Sequence, residues 1–287
     1  MRGKEKRKKK KEKRKKKKEK RGKRREKRKK KKEKRGKREE RKENIKCMKI
    51  IEFKAEDRGY ANHGWLQASH SFSFANYYNP GKTNFGALRV LNDDVIQANM
   101  GFSTHPHDNM EIITIPLEGA LKHKDSMSEK WIPIETGEVQ VMSAGTGIRH
   151  SERNNSLTEF INLFQIWIIP EKQGVEPAYN QMKFDPMDRV NKLQTLVSSY
   201  NDGMAETLKI HQDARISRID LSDDRDFTYK LKSKDHGVYV MLISGKINVA
   251  DAIFEKRDAV GISETNDFTI KTNQDSEILF IEVPMGY

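Results

Sequence analysis

The chain has 287 residues, 34% of them hydrophobic and 34% charged, with a formal net charge of +15, eight histidines and one cysteine. That length supports one large or two medium domains with a buried core. The lone Cys47 excludes an intrachain disulfide and any cysteine-based metal or redox pair, and no apolar run approaches the roughly 20 residues that span a bilayer.

Charge is unevenly placed. Residues 1–47 hold 32 Lys and Arg against 8 Glu, a local charge of +24, which leaves −9 on the remaining 240 residues. A segment so poor in apolar side chains cannot offset the entropy of ordering, so it is predicted to be disordered or at most a transient exposed helix. Such a tail attracts nucleic acid, anionic lipid or nuclear import factors, or is simply a solvated charge run or an upstream extension before Met48, where composition changes. No signal-peptide core follows the basic start, so the expected protein is soluble and cytoplasmic, with a nuclear place if the tail serves one. Nucleic acid is expected as a partner only through that tail.

From Met48 onward, short alternating segments are broken by turn residues every ten or so positions, the pattern of an all-β barrel or sandwich. "ALRVLNDDVIQ" (87–97) reads as strand, Asn-Asp-Asp turn, strand, and "MEIITIPLEGALKHKDS" as two strands about a Glu-Gly turn at 118 and 119. "GEVQVMSAGTGIRHSE" is a strand with Val139 and Val141 on one face, a Gly-rich loop and the start of a polar strand. "FINLFQIWIIP" is apolar enough for a strand covered on both faces. After "PEKQGVEPAYNQMKFDP" the same grammar returns in "VYVMLISGKINVA", "DAVGISE", "DFTIKT" and "SEILFIEVP", with Gly245 in the role of Gly119. One short helix is expected within 185–200. The predicted organisation is a tail at 1–47, a first barrel within 48–180 and a second within 181–287.

Chemistry concentrates in the first half. In an extended strand residues i and i+2 share a face, so His105 and His107 in "THPHDNME" project together while Pro106 points away. A histidine pair alone does not make a site, because a core imidazole often only hydrogen-bonds. Downstream, however, the small residues Ser143, Ala144, Gly145 and Gly147 allow a tight turn that delivers His150 and Glu152, again on one face. Three imidazoles and a carboxylate around one ion suit Fe, Mn, Co or Ni and leave open positions for substrate. His63 and His70 sit among aromatics and read as core or turn residues, and His123, His211 and His236 read as isolated and exposed. Phe72, Phe74, Tyr77 and Tyr78 are candidates for an aromatic pocket or for packing of the first hairpin.

"GFSTHPHDNMEIITIPLEG" and "GEVQVMSAGTGIRHSERN" resemble the two cupin motifs as they occur in the pirin family. "ANHGWLQASHSFSFANYYNP" and "GALRVLNDDVIQ" resemble its amino-terminal region in bacterial quercetinases. The resemblance covers Met48 to Tyr287, most strongly to Phe184. It implies an all-β bicupin, two face-to-face barrels (double-stranded β-helices), the first holding one metal and the second without a metal site. It implies ligands at His105, His107, His150 and Glu152, with Glu152 also the catalytic base. General cupins use the carboxylate matching Glu111, and strand parity does not choose between them if 105, 107, 109 and 111 share a face. The implied activity is quercetin 2,3-dioxygenase, with flavonol and dioxygen as substrates, a monomer, and one divalent transition metal. Iron(II) is the first expectation, with Ni, Co, Mn, Cu or Zn as alternatives. A non-catalytic, redox-sensing regulatory role is the other expectation the family raises.

Overall fold

Residues 48–128 and 130–286 are described by a computed structural model; the basic segment and its expected disorder lie outside the described residues. Period-2 alternation sorts the side chains of nearly every long strand between two environments, and this sorting builds the architecture. The first seven-stranded sheet runs β12 (Ala178–Lys183), β9 (Glu138–Ser143), β6 (Glu111–Glu118), β11 (Ile161–Ile168), β4 (Leu88–Ile96), β3 (Leu66–His70), β2 (Gly59–Asn62). Facing it is a four-stranded sheet of β5 (Gly101–His107), β10 (Ile148–Asn154), β7 (Ala120–Asp125) and β8 (Ile132–Glu135). The second half repeats the plan. Its seven-stranded sheet runs β1 (Lys49–Phe53), β20 (Ala259–Ser263), β17 (His236–Ser244), β22 (Ser276–Pro284), β15 (Arg215–Leu221), β13 (Gln194–Ser199), β14 (Leu208–Ile210). Its four-stranded sheet is β16 (Asp226–Lys230), β21 (Asp267–Thr272), β18 (Lys246–Val249) and β19 (Ala252–Glu255).

The two seven-stranded sheets meet face to face. Ile113, Val141, Phe164 and Ile166 of the first share one core with Val197, Ile216, Tyr239, Leu279 and Ile281 of the second. Alternate residues of the same strands face inward, and the two interiors differ. Val238, Val240, Phe254, Ile270 and Phe280 help fill the second with apolar side chains. In the first, the inward series of β11 runs Leu163, Gln165, Trp167, and buried polar side chains on neighbouring strands (Thr114, Gln140) and on the facing sheet (His123, His150, Glu152) separate two apolar clusters. Buried polar groups are costly unless paired, so this interior is built for something other than packing.

Four expectations change. Residues 92–94 form no turn: β4 continues through them, because Asn92 and Asp94 point inward while Asp93 receives Arg257 Nε at 2.8 Å. No α-helix forms at 185–200; Asp185 and Pro186 start a single 3-10 turn at Pro186–Arg189, and Leu196 and Val197 are then buried in β13. The residues after Met48 do not enter the first barrel's sheet. β1 instead pairs antiparallel with β20, Ile51 opposite Gly261, and Phe53 packs 5.1 Å from the Tyr239 ring. Finally, His123 and His236 are buried rather than exposed, and half-buried His211 stacks on Tyr200 at 4.5 Å. The Glu-Gly turn is found as expected, with Gly119 at φ 81° and Gly245 at φ 97°. Among the described residues no helix is long and apolar enough to cross a membrane.

Candidate metal centre

His105 and His107 lie on β5 and His150 and Glu152 on β10, its antiparallel neighbour, with His150 directly opposite His105. A β-bulge follows: Glu152 pairs with Phe102, so three steps of β5 are matched by two of β10. Gly101 permits this close passage, because a Cβ there would sit 2.1 Å from the Glu152 carbonyl oxygen. Gly145, at φ 48°, makes the turn before β10, where a Cβ would meet the Val175 carbonyl oxygen at 2.0 Å. The small residues seen in the sequence are thus what brings His150 to its place.

The three imidazoles form a near-regular triangle, with ring centroids 4.8 Å (His105–His107), 4.4 Å (His105–His150) and 4.8 Å (His107–His150) apart. His150 Nε2 lies 2.9 Å from His105 Nε2. Two nitrogens bound at right angles, each about 2.1 Å from an ion, lie about 3 Å apart, so this spacing fits cis ligands. Burial, then the neighbouring His150 and His105, pushes His107 down to about 4. Burial, then His105 and His123, pushes His150 down to about 3. Both rings are therefore neutral near pH 7, with lone pairs available to a cation.

Ligand atoms of His105, His107 and His150 lie within 4.8 Å of one another, as do those of His123, His150 and Glu152. The four expected residues thus fall into two overlapping sets that share His150. Glu152, buried, accepts hydrogen bonds from Gln165 Nε2 at 3.1 and 3.0 Å, and Thr114 Oγ1 donates to Gln165 Oε1 at 2.9 Å. His123 Nε2 lies 3.0 Å from Asp125 Oδ2, and its Nδ1 lies 3.3 Å from Gln140 Nε2 and 3.5 Å from His150 Nδ1.

Glu111 is placed elsewhere. The chain turns at Asn109, at φ 44°, and passes from the four-stranded to the seven-stranded sheet, so 105, 107 and 111 do not share a face. Ser143 Oγ donates to its carboxylate at 2.6 Å, and burial pushes it up to about 7. Sequence reasoning missed His123 and Gln165. The inward series Leu121, His123, Asp125 after the Gly119 turn was the available signal for one, and the single polar residue facing inward between Leu163 and Trp167 for the other.

Two antiparallel barrels joined face to face, one centred on imidazoles and a carboxylate, define the bicupin class. Residues 53–168 match the pirin family and residues 196–283 match the quercetinase C-terminal cupin domain. The chain belongs to the pirin family. It is 44% identical over 231 residues to a quercetin 2,3-dioxygenase of Escherichia coli K12, covering 80% of this chain and 97% of that protein. It is 42% identical to a pirin-like protein of Caulobacter vibrioides, covering 81% and 99%. A crystal structure of the bacterial pirin YhhW from Escherichia coli in complex with nickel(II) superposes with a TM-score of 0.76 at 42% identity, covering 82% of this chain and 99% of that one.

Proposed function

We propose that the chain is a metal-dependent dioxygenase that opens the ring of a flavonol such as quercetin, with one divalent ion held by His105, His107, His150 and Glu152. The observation that carries this is the triangle of imidazoles in a polar barrel interior. The 44%-identical relative named a quercetin 2,3-dioxygenase and the relative crystallised with nickel(II) support it. Iron(II) is the ion we assign, because a set of three nitrogens and one oxygen donor suits it, with nickel(II) the first alternative.

A bound ion supplies Lewis acidity and open positions for substrate and dioxygen. The chain does the rest. Glu152 accepts the proton of the flavonol 3-hydroxyl, and the two bonds from Gln165 aim its oxygens for that transfer. His123, held by Asp125 and Gln140, backs the His150 ring and fixes its orientation. Trp167, whose ring stands edge-on 4.9 Å from His107, shields one side of the cluster from water. The test is quercetin absorbance with purified, metal-loaded protein. The reading expects its loss in air and none under argon, and metal binding without turnover in air would leave a binding module instead.

A further inference from the structure

Next to the imidazoles a cavity of about 470 Å³ opens between the edge formed by β2 and β3 and the edge strand β5. Its walls include His63, Trp65, His70, Phe74, Tyr77 and Phe102. The size falls within the range of small-molecule sites, and the lining is aromatic with few polar groups, as such sites are. Two contacts tie it to the candidate metal centre. The Phe102 ring lies 6.4 Å from that of His105, and Phe74 stands edge-on 5.3 Å from Trp167, which packs on His107.

One buried polar side chain sets the chemistry of this cavity. His70 Nδ1 is 2.9 Å from Asn92 Oδ1, an atom that only accepts, so the ring proton belongs on Nδ1 and Nε2 keeps its lone pair. Nε2 has no hydrogen-bond partner among the described residues. Burial holds His70 below its ordinary value, which keeps the ring neutral and an acceptor. The rings of Phe74, at 5.3 Å, and Tyr77, at 6.4 Å, fix it from two sides. Asn92 is itself buried in β4, so a side chain is spent on orienting an imidazole whose free nitrogen serves nothing in the fold.

We propose that this cavity binds the hydroxylated phenyl ring that a flavonol carries away from its metal-binding edge, and that His70 Nε2 selects for it by accepting a ring hydroxyl hydrogen bond. The identity of the ring rests on the flavonol reading above; the acceptor and the aromatic walls do not. Phenyl recognition by edge and face contacts needs no charge, and the buried, oriented acceptor on His70 supplies the discrimination that an apolar slot lacks.

The experiment is equilibrium binding under argon to metal-loaded protein, followed by tryptophan fluorescence, with quercetin and with 3,5,7-trihydroxyflavone, which lacks the hydroxyls of the outer ring. Wild type should bind quercetin roughly tenfold more tightly, the scale of one net hydrogen bond. His70→Leu should bring quercetin to the affinity of its comparator and leave the comparator within about twofold, with metal content unchanged. Ala61→Leu, at a half-buried wall position, should weaken both ligands together. Equal affinities in wild type, preference retained in His70→Leu, or wild-type binding of both by Ala61→Leu would each overturn the proposal. Turnover in air without this preference refutes the His70 role and leaves the dioxygenase standing. A His70-dependent preference without turnover does the reverse.

Discussion

Glu152 and Glu111 are both buried carboxylates, and their neighbours assign them different work. Glu152 shares its ligand atoms' surroundings with His123 and His150, while Glu111 is bonded to Ser143 on the other sheet. Glu152→Gln should keep the barrel folded, weaken metal retention and abolish quercetin turnover, because an amide is a poorer donor and takes no proton. Glu111→Gln should retain the metal, and elemental analysis of the two variants side by side checks the pair. Glu111 also makes a pH prediction. Its folded-state value, about 7, lies above the ordinary 4.5, so the folded chain holds more protons than the unfolded one between those values. Stability from this group is then lost as pH rises through that window, and Glu111→Gln removes the loss. The melting temperature of the variant relative to wild type should shift in the variant's favour from pH 5 to pH 8. At this scale the sequence was readable where two functional residues shared a strand face, as His105 and His107 do. It was not readable for His123, whose partners Asp125, Gln140 and His150 are brought to it by strand pairing rather than by a motif.

Among the elements, β1 is the one whose place no local pattern could reveal. "KIIEF" reads as a strand from its β-branched residues, but its partner β20 lies some 200 positions away, and pairing at that separation leaves no trace in spacing. Its anchor is Phe53, 8% exposed, against Phe72 at 6.0 Å and Tyr239 at 5.1 Å. Phe53→Ala should cost about 3–5 kcal/mol in denaturant unfolding, since it empties a packed site. Ile51→Ala, at a position 39% exposed, should cost less than about 1 kcal/mol. A chain starting at Met48 keeps β1 and should melt like the full chain, whereas one starting at Lys54 should melt lower. The segment 185–200 failed for the opposite reason. Val190, Leu193 and Leu196 recur every third position, yet Thr195 and Val197 are β-branched and the strands on either side, β15 and β14, take the backbone hydrogen bonds.

Taken whole, the molecule uses one barrel plan twice and gives the two copies different interiors. The repeated strand-Gly-strand grammar made the plan legible, and the alternation of each strand fixed which residues meet between the sheets. What fills each barrel was legible only in part, since His105, His107, His150 and Glu152 stand out by type while Gln165 and Thr114 do not. In the second barrel, Phe280, Phe254 and Ile270 occupy the interior where the first keeps polar side chains. His236 there lies 3.3 Å from Glu282 at the end of the apolar core, and it joins no group of three metal-binding side chains among the described residues. The proposed function therefore requires a single ion, held in the first barrel. The metal-to-protein ratio of the purified full chain, measured beside that of His150→Ala, tests this most directly. One tightly held ion per wild-type chain and none in His150→Ala is the predicted result; two ions per chain, or one retained by His150→Ala, would contradict it.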